Sequence, residues 1–290
     1  MRIILLFFVF VGFISCEKDI ELNLEKTPNQ LVIDASIENG KPPVVILSKS
    51  LNYFNKINKD SLAASFVHNA DVKINNGVKL FKLTEDSIKN TDGFTFYYYT
   101  TKPGPDLLLG AIKSSYSLKI NVNGAAYDAS TTIPDFATKI DSTWWEEIPG
   151  LKDSNNIRIL SKLTDTKGLG DYIRYFTKVN NANFFPGLNS ASADELYDGL
   201  SFTTFFEKGV DRNIERSRTS TNFNKGDTVV LKLCNIDKVN FDFWRTLDFG
   251  FQSNGNPFSS PVKILSNIQG NAFGYFGGYA AQYRTVIIPK

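Results

Sequence analysis

The side chains that could do chemistry are few. The chain has one histidine, His68, and two cysteines, Cys16 and Cys234. One histidine cannot build a multi-histidine metal centre, and the cysteines offer no zinc-ligand spacing. Neither a G-x-S-x-G nucleophile elbow nor a phosphate-cradling loop occurs. Gly255-Asn256-Pro257-Phe258 is not a nucleotide loop, because no Lys-Ser/Thr follows it. Cys234 ends the apolar run Val229-Val230-Leu231-Lys232-Leu233-Cys234, the setting of a buried small hydrophobe rather than a nucleophile. Carboxylates are plentiful, and a glycosidase needs two of them about 5–5.5 Å or about 6.5–9.5 Å apart. Glu146 and Glu147 are neighbours on one predicted strand, so they point to opposite faces and read as solvated charges. Asp165 and Asp171 flank a Gly-rich turn; calcium takes oxygen ligands, but two acids are too few, and turn chemistry explains them. No enzyme and no cofactor is expected from this inventory. Aromatic rings are the better binding candidates: Trp144 and Trp145 on one strand, Tyr97 and Tyr99 on another. Such rings hold a sugar or a peptide when exposed; their competing role is cross-strand packing.

These side chains need elements to hold them, and the pattern is strand after strand. The 290 residues are 42% hydrophobic, enough for a core, and the formal charge of +2 gives no reason to expect nucleic acid as a partner. From Gln30 to Pro134, alternating segments meet at Asn39-Gly40, Asn76-Gly77 and Asn123-Gly124. Asn-Gly between alternating runs is the strongest short hairpin signal, since a type I′ turn needs positive φ at both central residues. We expect an all-β protein: an immunoglobulin- or transthyretin-like antiparallel sandwich of about seven strands over 29–134. A second β-rich unit would occupy 135–290. In it, 157–165 and 172–179 read as a hairpin about Thr166–Asp171, and 200–206, 228–234 and 282–288 as further strands. Residues 181–198 and 208–226 read as polar loops. One helix is expected near 238–250, capped by Asp237, with Phe243, Trp244, Leu247 and Phe251 at helical spacing facing a core.

The start of the chain is an address. Met1-Arg2, the apolar run Ile3 to Ile14 and Ser15 form a secretory signal over 1–15. The run falls short of the about 20 residues of a membrane span. A cysteine directly after Ser15 resembles the lipobox of bacterial lipoproteins, which makes Cys16 the lipidated first residue and 16–28 a tether. Two or more acyl chains there give stable membrane anchoring.

The order of several short motifs carries a family likeness. Cys16-Glu17-Lys18-Asp19 is followed by Leu31-Val32-Ile33 with Asn39-Gly40, and then by Phe243-Trp244 in the helix. Asn256-Pro257-Phe258, Ser266-Asn267-Ile268 and Gly274-Tyr275-Phe276-Gly277 complete the series. The chain resembles the Bacteroidetes-type outer-membrane lipoproteins grouped as domain of unknown function 4249. That resemblance implies a lipid-anchored, cell-surface protein of the outer membrane with a TonB-dependent receptor as partner in nutrient binding or uptake. A carbohydrate- or peptide-binding adhesin acting without a receptor is the alternative, and a glycoside hydrolase the third reading. The family supplies no catalytic residue set.

Overall fold

The computed structural model describes residues 30–51, 59–90, 93–150, 155–211, 221–253, 260 and 262–290. Cys16, the signal and tether assigned to 1–28, and Asn256-Pro257-Phe258 lie outside the described residues. The chain is all-β with one long helix. Among the described residues, no helix is long and apolar enough to cross a membrane.

Eight strands build the front sandwich: β1 (Leu31–Glu38), β2 (Val44–Lys49), β3 (Asp71–Asn75), β4 (Leu80–Lys82), β5 (Thr84–Lys89), β6 (Thr95–Thr100), β7 (Ser114–Val122) and β8 (Ala125–Ile133). A short helix, α1 (Lys59–Ala63), lies between β2 and β3. The order β4-β3-β7-β8 forms a small sheet, while β1-β2-β6-β5 belongs to a larger one. Alternation decides what each strand buries. Leu31, Ile33, Ala35 and Ile37 point from β1 into a core with Val72, Ile74, Leu118 and Ile120, while Asp34, Ser36 and Glu38 face the other way. The β7–β8 turn is the expected type I′, with Asn123 at φ 51 and Gly124 at φ 85. At Asn39-Gly40 and Asn76-Gly77 only the glycine has positive φ. Asn76 instead accepts two backbone N–H bonds with its side chain, from Val78 and Lys79.

The rear half adds β9 (Lys139–Glu147), β10 (Asn156–Thr164), β11 (Tyr172–Val179), β12 (Phe185–Ala193), β13 (Ser201–Phe206), β14 (Phe223–Asn224), β15 (Thr228–Ile236), α2 (Lys238–Ser253) and β16 (Ala272–Ile287). The expected hairpin between β10 and β11 does not form. β10 pairs with β9, β13 and β14 in a second small sheet, whereas β11 pairs with β12 and β15 in the large one. Gly168 and Gly170, at φ 135 and 112, carry the chain from one layer to the other. Part of the predicted loop 181–198 is a strand as well, since Phe185–Ala193 forms the edge strand β12.

β16 joins everything. Its first half runs parallel to β1, from Ala272 beside Leu31 to Tyr279 beside Glu38. Its second half runs antiparallel to β15, from Ala280 beside Asn235 to Ile287 beside Thr228. The result is one eight-stranded sheet, β12-β11-β15-β16-β1-β2-β6-β5. Phe276 and Ala280 enter the front core, and Val286 enters a rear core with Ile157, Ile159 and Phe223. Tyr275, Tyr279, Ala281 and Tyr283 point to the opposite face, against α2. The strand thus begins ten residues before the expected Gln282, because the glycine-rich Gly274 to Tyr279 is strand as well. An added Cβ on Gly274 would lie 1.8 Å from the Ile33 carbonyl oxygen, so no other residue fits there. The Ser266-Asn267-Ile268 motif serves the edge of β16 that β15 has not yet reached. Ser266 Oγ donates to the Gly274 carbonyl, and the Asn267 amide bonds both N–H and C=O of Phe276.

Helix α2 starts where expected. Asp237 Oδ1 accepts the Asn240 N–H at 2.9 Å, the N-cap bond, and Oδ2 accepts Thr131 Oγ1 and the Thr132 N–H from β8. Phe241 and Phe243 are buried, Trp244 and Leu247 half-buried, but Phe251 is exposed, so the predicted stripe ends one turn early. In the last turn Gln252 bonds back to β12 at Leu188 and Asn189.

Candidate functional site

Four adjacent strands of the large sheet present polar side chains on the face that carries α2. β1 gives Asp34, Ser36 and Glu38, every second residue of one strand. β16 gives Tyr275 and Tyr279, β15 gives Lys232, and β11 gives Arg174 and Phe176. Trp244 of α2 and Phe185-Pro186 of β12 close the sides of a cleft of about 610 Å³, a size typical of small-molecule sites.

The charges are arranged in two groups. Glu38 pairs with Lys232 and with Lys41, the latter at 2.7 Å, and accepts a bond from the Tyr283 hydroxyl. Burial alone would raise the Glu38 carboxyl, but Lys232, Lys41 and Tyr283 outweigh it and hold Glu38 below the usual carboxylate range. For Lys232, burial pulls downward, and the groups it faces, Cys234 and Glu38, shift it upward on balance. The second group centres on Arg174, which is 2% exposed. Its guanidinium carbon lies 3.3 Å from the centre of the Trp244 ring and 4.5 Å from that of Phe176. Nε donates to Ser190 Oγ and Nη1 to the Tyr279 hydroxyl, each at 3.2 Å. Trp244 Nε1 donates to the same hydroxyl at 3.1 Å. Asp34 faces the cleft with its side chain partly open, and burial of its carboxyl among the surrounding groups pushes it up, against the Tyr275 hydroxyl and the Arg174 charge. Cys234, on the same face of β15 as Lys232, is fully buried in the cluster under α2, and its thiol is pushed up to about 12 by burial, so it stays protonated.

The sequence-predicted rings lie elsewhere. Trp144 and Trp145 sit on β9 in the rear small sheet, both half-buried. Trp145 packs against the rear core, and Trp144 Nε1 donates to Glu146, which also pairs with Arg158. Tyr97 meets the His68 ring edge-on at 4.6 Å, and His68 pairs with Glu85. Tyr99 is 3% exposed, with its hydroxyl bonded to Val67, Ala70 and Glu85, so it offers no ring to a ligand. None of the four lines the cleft, and the two pairs sit on different sheets. What sequence reasoning missed is Arg174, Lys232, Asp34, Glu38 and the cleft-facing role of Trp244 and the tail tyrosines. A signal existed: Arg174 stands between Ile173 and Tyr175-Phe176 in β11, and Lys232 between Leu231 and Leu233 in β15. A charge in that position needs a partner or a cavity.

Asp165 and Asp171 have a third acid beside them. One carboxylate oxygen from each of Asp165, Asp171 and Asp194 lies within 4.8 Å of the others. Backbone N–H groups of Gly199 and Gly170, with the Thr138 hydroxyl, already bond Asp165 and Asp194. Burial first, then Asp165, Asp194 and Asp198, raises Asp171 to about 6.

The all-β body thus carries a sheet-borne cleft walled by aromatic rings and fixed charges. The sequence places the chain in a family: it belongs to the domain of unknown function DUF4249, whose model matches residues 17–285. No curated protein matches the chain.

Proposed function

We propose that the protein is a non-enzymatic outer-membrane lipoprotein that binds a small nutrient in the cleft between β1, β11, β15, β16 and α2. In this reading, acyl chains on Cys16 hold the body at the membrane, where it works beside a TonB-dependent receptor. The observation that carries the binding role is the cleft itself. Arg174 and the Lys232–Glu38 pair are fixed by hydrogen bonds and by the rings around them, a preorganised recognition surface. The groups available there suit holding better than reaction: the Cys234 thiol is protonated and enclosed, and Lys232 is engaged as a charged partner.

Two measurements test the reading. Replacing Cys16 with Ser, or blocking lipoprotein processing with globomycin, is expected to leave unprocessed precursor and abolish membrane association. Affinity capture of the tagged lipoprotein from detergent-solubilised outer membranes is expected to recover a TonB-dependent receptor. Capture without any receptor rejects the partnership and favours an adhesin that uses the same cleft alone.

A further inference from the structure

The ligand's chemistry can be read from what the cleft leaves unpaired. Arg174 carries five N–H donors. Nε and Nη1 are bonded, whereas among the described residues Nη2 has no acceptor and no carboxylate forms an ion pair with this guanidinium. A nearly buried cation with a free donor on a cavity wall is placed to receive an anionic oxygen. Arginine's planar fork matches a carboxylate in particular. Lys232 does not compete for that role, because Glu38 already neutralises it.

The rest of the cleft decides what carries the carboxylate. The floor is made of β11, β15, β16 and β1, all interior strands of the large sheet. Their ladders use the backbone N–H and C=O groups on both sides. A peptide would therefore find few main-chain partners, and the cleft recognises its ligand through side chains. Asp34, open to the cleft, and Ser36 beside it supply acceptors for hydroxyl groups. Phe176, Phe185 and Trp244 are half-buried and give flat apolar surface. Hydroxyls, a flat apolar face and one carboxylate together describe a sugar acid. Building on the cleft as a nutrient site, we infer that it binds a uronic-acid saccharide, with the carboxylate on Arg174 Nη2, hydroxyls on Asp34 and Ser36, and the ring against the aromatic wall.

The test is calorimetric titration of the full chain, purified in detergent, with di- to tetrasaccharides of galacturonate and glucuronate. Their methyl esters and a tetrapeptide with a free carboxyl terminus complete the set. At least one uronate is expected to bind, with its methyl ester ten-fold or more weaker. Arg174→Gln is expected to lose about the same factor for the acid and nothing for the ester, a pattern that misfolding does not give. Should Arg174→Gln fail to fold, Asp34→Asn at the open side of the cleft is expected to weaken acid and ester alike by several-fold. Equal binding of acid and ester overturns the carboxylate assignment. Binding of the peptide in place of the uronates overturns the sugar assignment. No binding by any probe overturns the inference. Capture of the receptor is a separate readout, so failure of the ligand assignment and failure of the lipoprotein reading are told apart.

Discussion

Replacing Lys232 with Met is expected to weaken the fold by about 2–3 kcal/mol, and the reason lies in the pair it forms with Glu38. The two side chains keep only 15% and 12% of their exposure. Two unit charges about 4 Å apart attract by about 4 kcal/mol at an effective dielectric of about 20. Desolvation takes back part of this, and Lys41 and the Tyr283 hydroxyl remain on Glu38 when Lys232 is gone. The cleanest measure is a cycle of Lys232→Met, Glu38→Gln and the double variant, for which we expect a coupling of about 2 kcal/mol. The pH window follows from the directions. Glu38 is held below 4.5, so its contribution is complete above that value and is lost as pH falls through the lower folded pKa. Lys232 is held above 10.5, so its contribution is complete below that value and fades only as pH rises through the higher one. Urea denaturation of the four proteins at neutral pH and again below about pH 3 reads both. A coupling under about 0.5 kcal/mol at neutral pH, or one that survives acid unchanged, refutes the reasoning.

Two further predictions concern the scaffold. Asp171 sits at about 6, above the 3.8 of an ordinary aspartate, so its ionised form is penalised in the fold and stability rises as pH falls through this range. Solvent screening at this half-exposed site reduces the effect, so Asp171→Asn should gain about 1 kcal/mol at about pH 8 and nothing at about pH 4 in denaturant titrations; a loss at the higher pH would reverse the sign of the argument. Gly274→Ala places a methyl 1.8 Å from the Ile33 carbonyl oxygen at φ +116, which should cost about 3 kcal/mol or more. Gly250→Ala in α2 meets nothing within 4 Å and should gain about 0.5–1 kcal/mol, so similar melting temperatures for the two variants would contradict the close-approach account.

Much of the fold was legible because it is local. Alternation marked most strands, Asp237 marked the helix start, and Asn123-Gly124 marked a two-residue turn that the backbone adopts with both φ values positive. What local pattern does not encode is the partner. β10 and β11 look like a hairpin, being alternating segments around a Gly turn, yet they join different sheets, and Leu163 and Ile173 meet in the core between those sheets. β12 escaped notice for a chemical reason. Pro186 and Gly187 read as loop residues, but on an edge strand the missing N–H of proline faces no ladder. Gly187 is required because an added Cβ would fall 1.9 Å from the Tyr175 hydroxyl oxygen. The tail glycines left the start of β16 unmarked for a related reason: close backbone approach and positive φ select the same residue.

The candidate site was illegible for a deeper reason, and β16 supplies it. A strand that carries the core on one face and the cleft on the other divides its residues by parity. Phe276, Ala280 and Val286 go to the two cores, and Tyr275, Tyr279 and Tyr283 to the cleft side. Its parallel pairing with β1 then brings Asp34 and Glu38, near the start of the described chain, beside tyrosines near its end. Its antiparallel pairing with β15 adds Lys232, and β11 adds Arg174 beyond that. Asp34 and Glu38 look unremarkable among their own neighbours in sequence, being the outward positions of an alternating strand, and the charges of Arg174 and Lys232 do not say which partner they meet. Only the register of one sixteen-residue strand places two cations, two acids and a ring-lined wall on a single face. The same register constrains the Gly274-Tyr275-Phe276-Gly277 segment: shifting it by one residue would turn the tyrosines into the core and Phe276 into the cleft, removing the sandwich joint and the polar cleft face together.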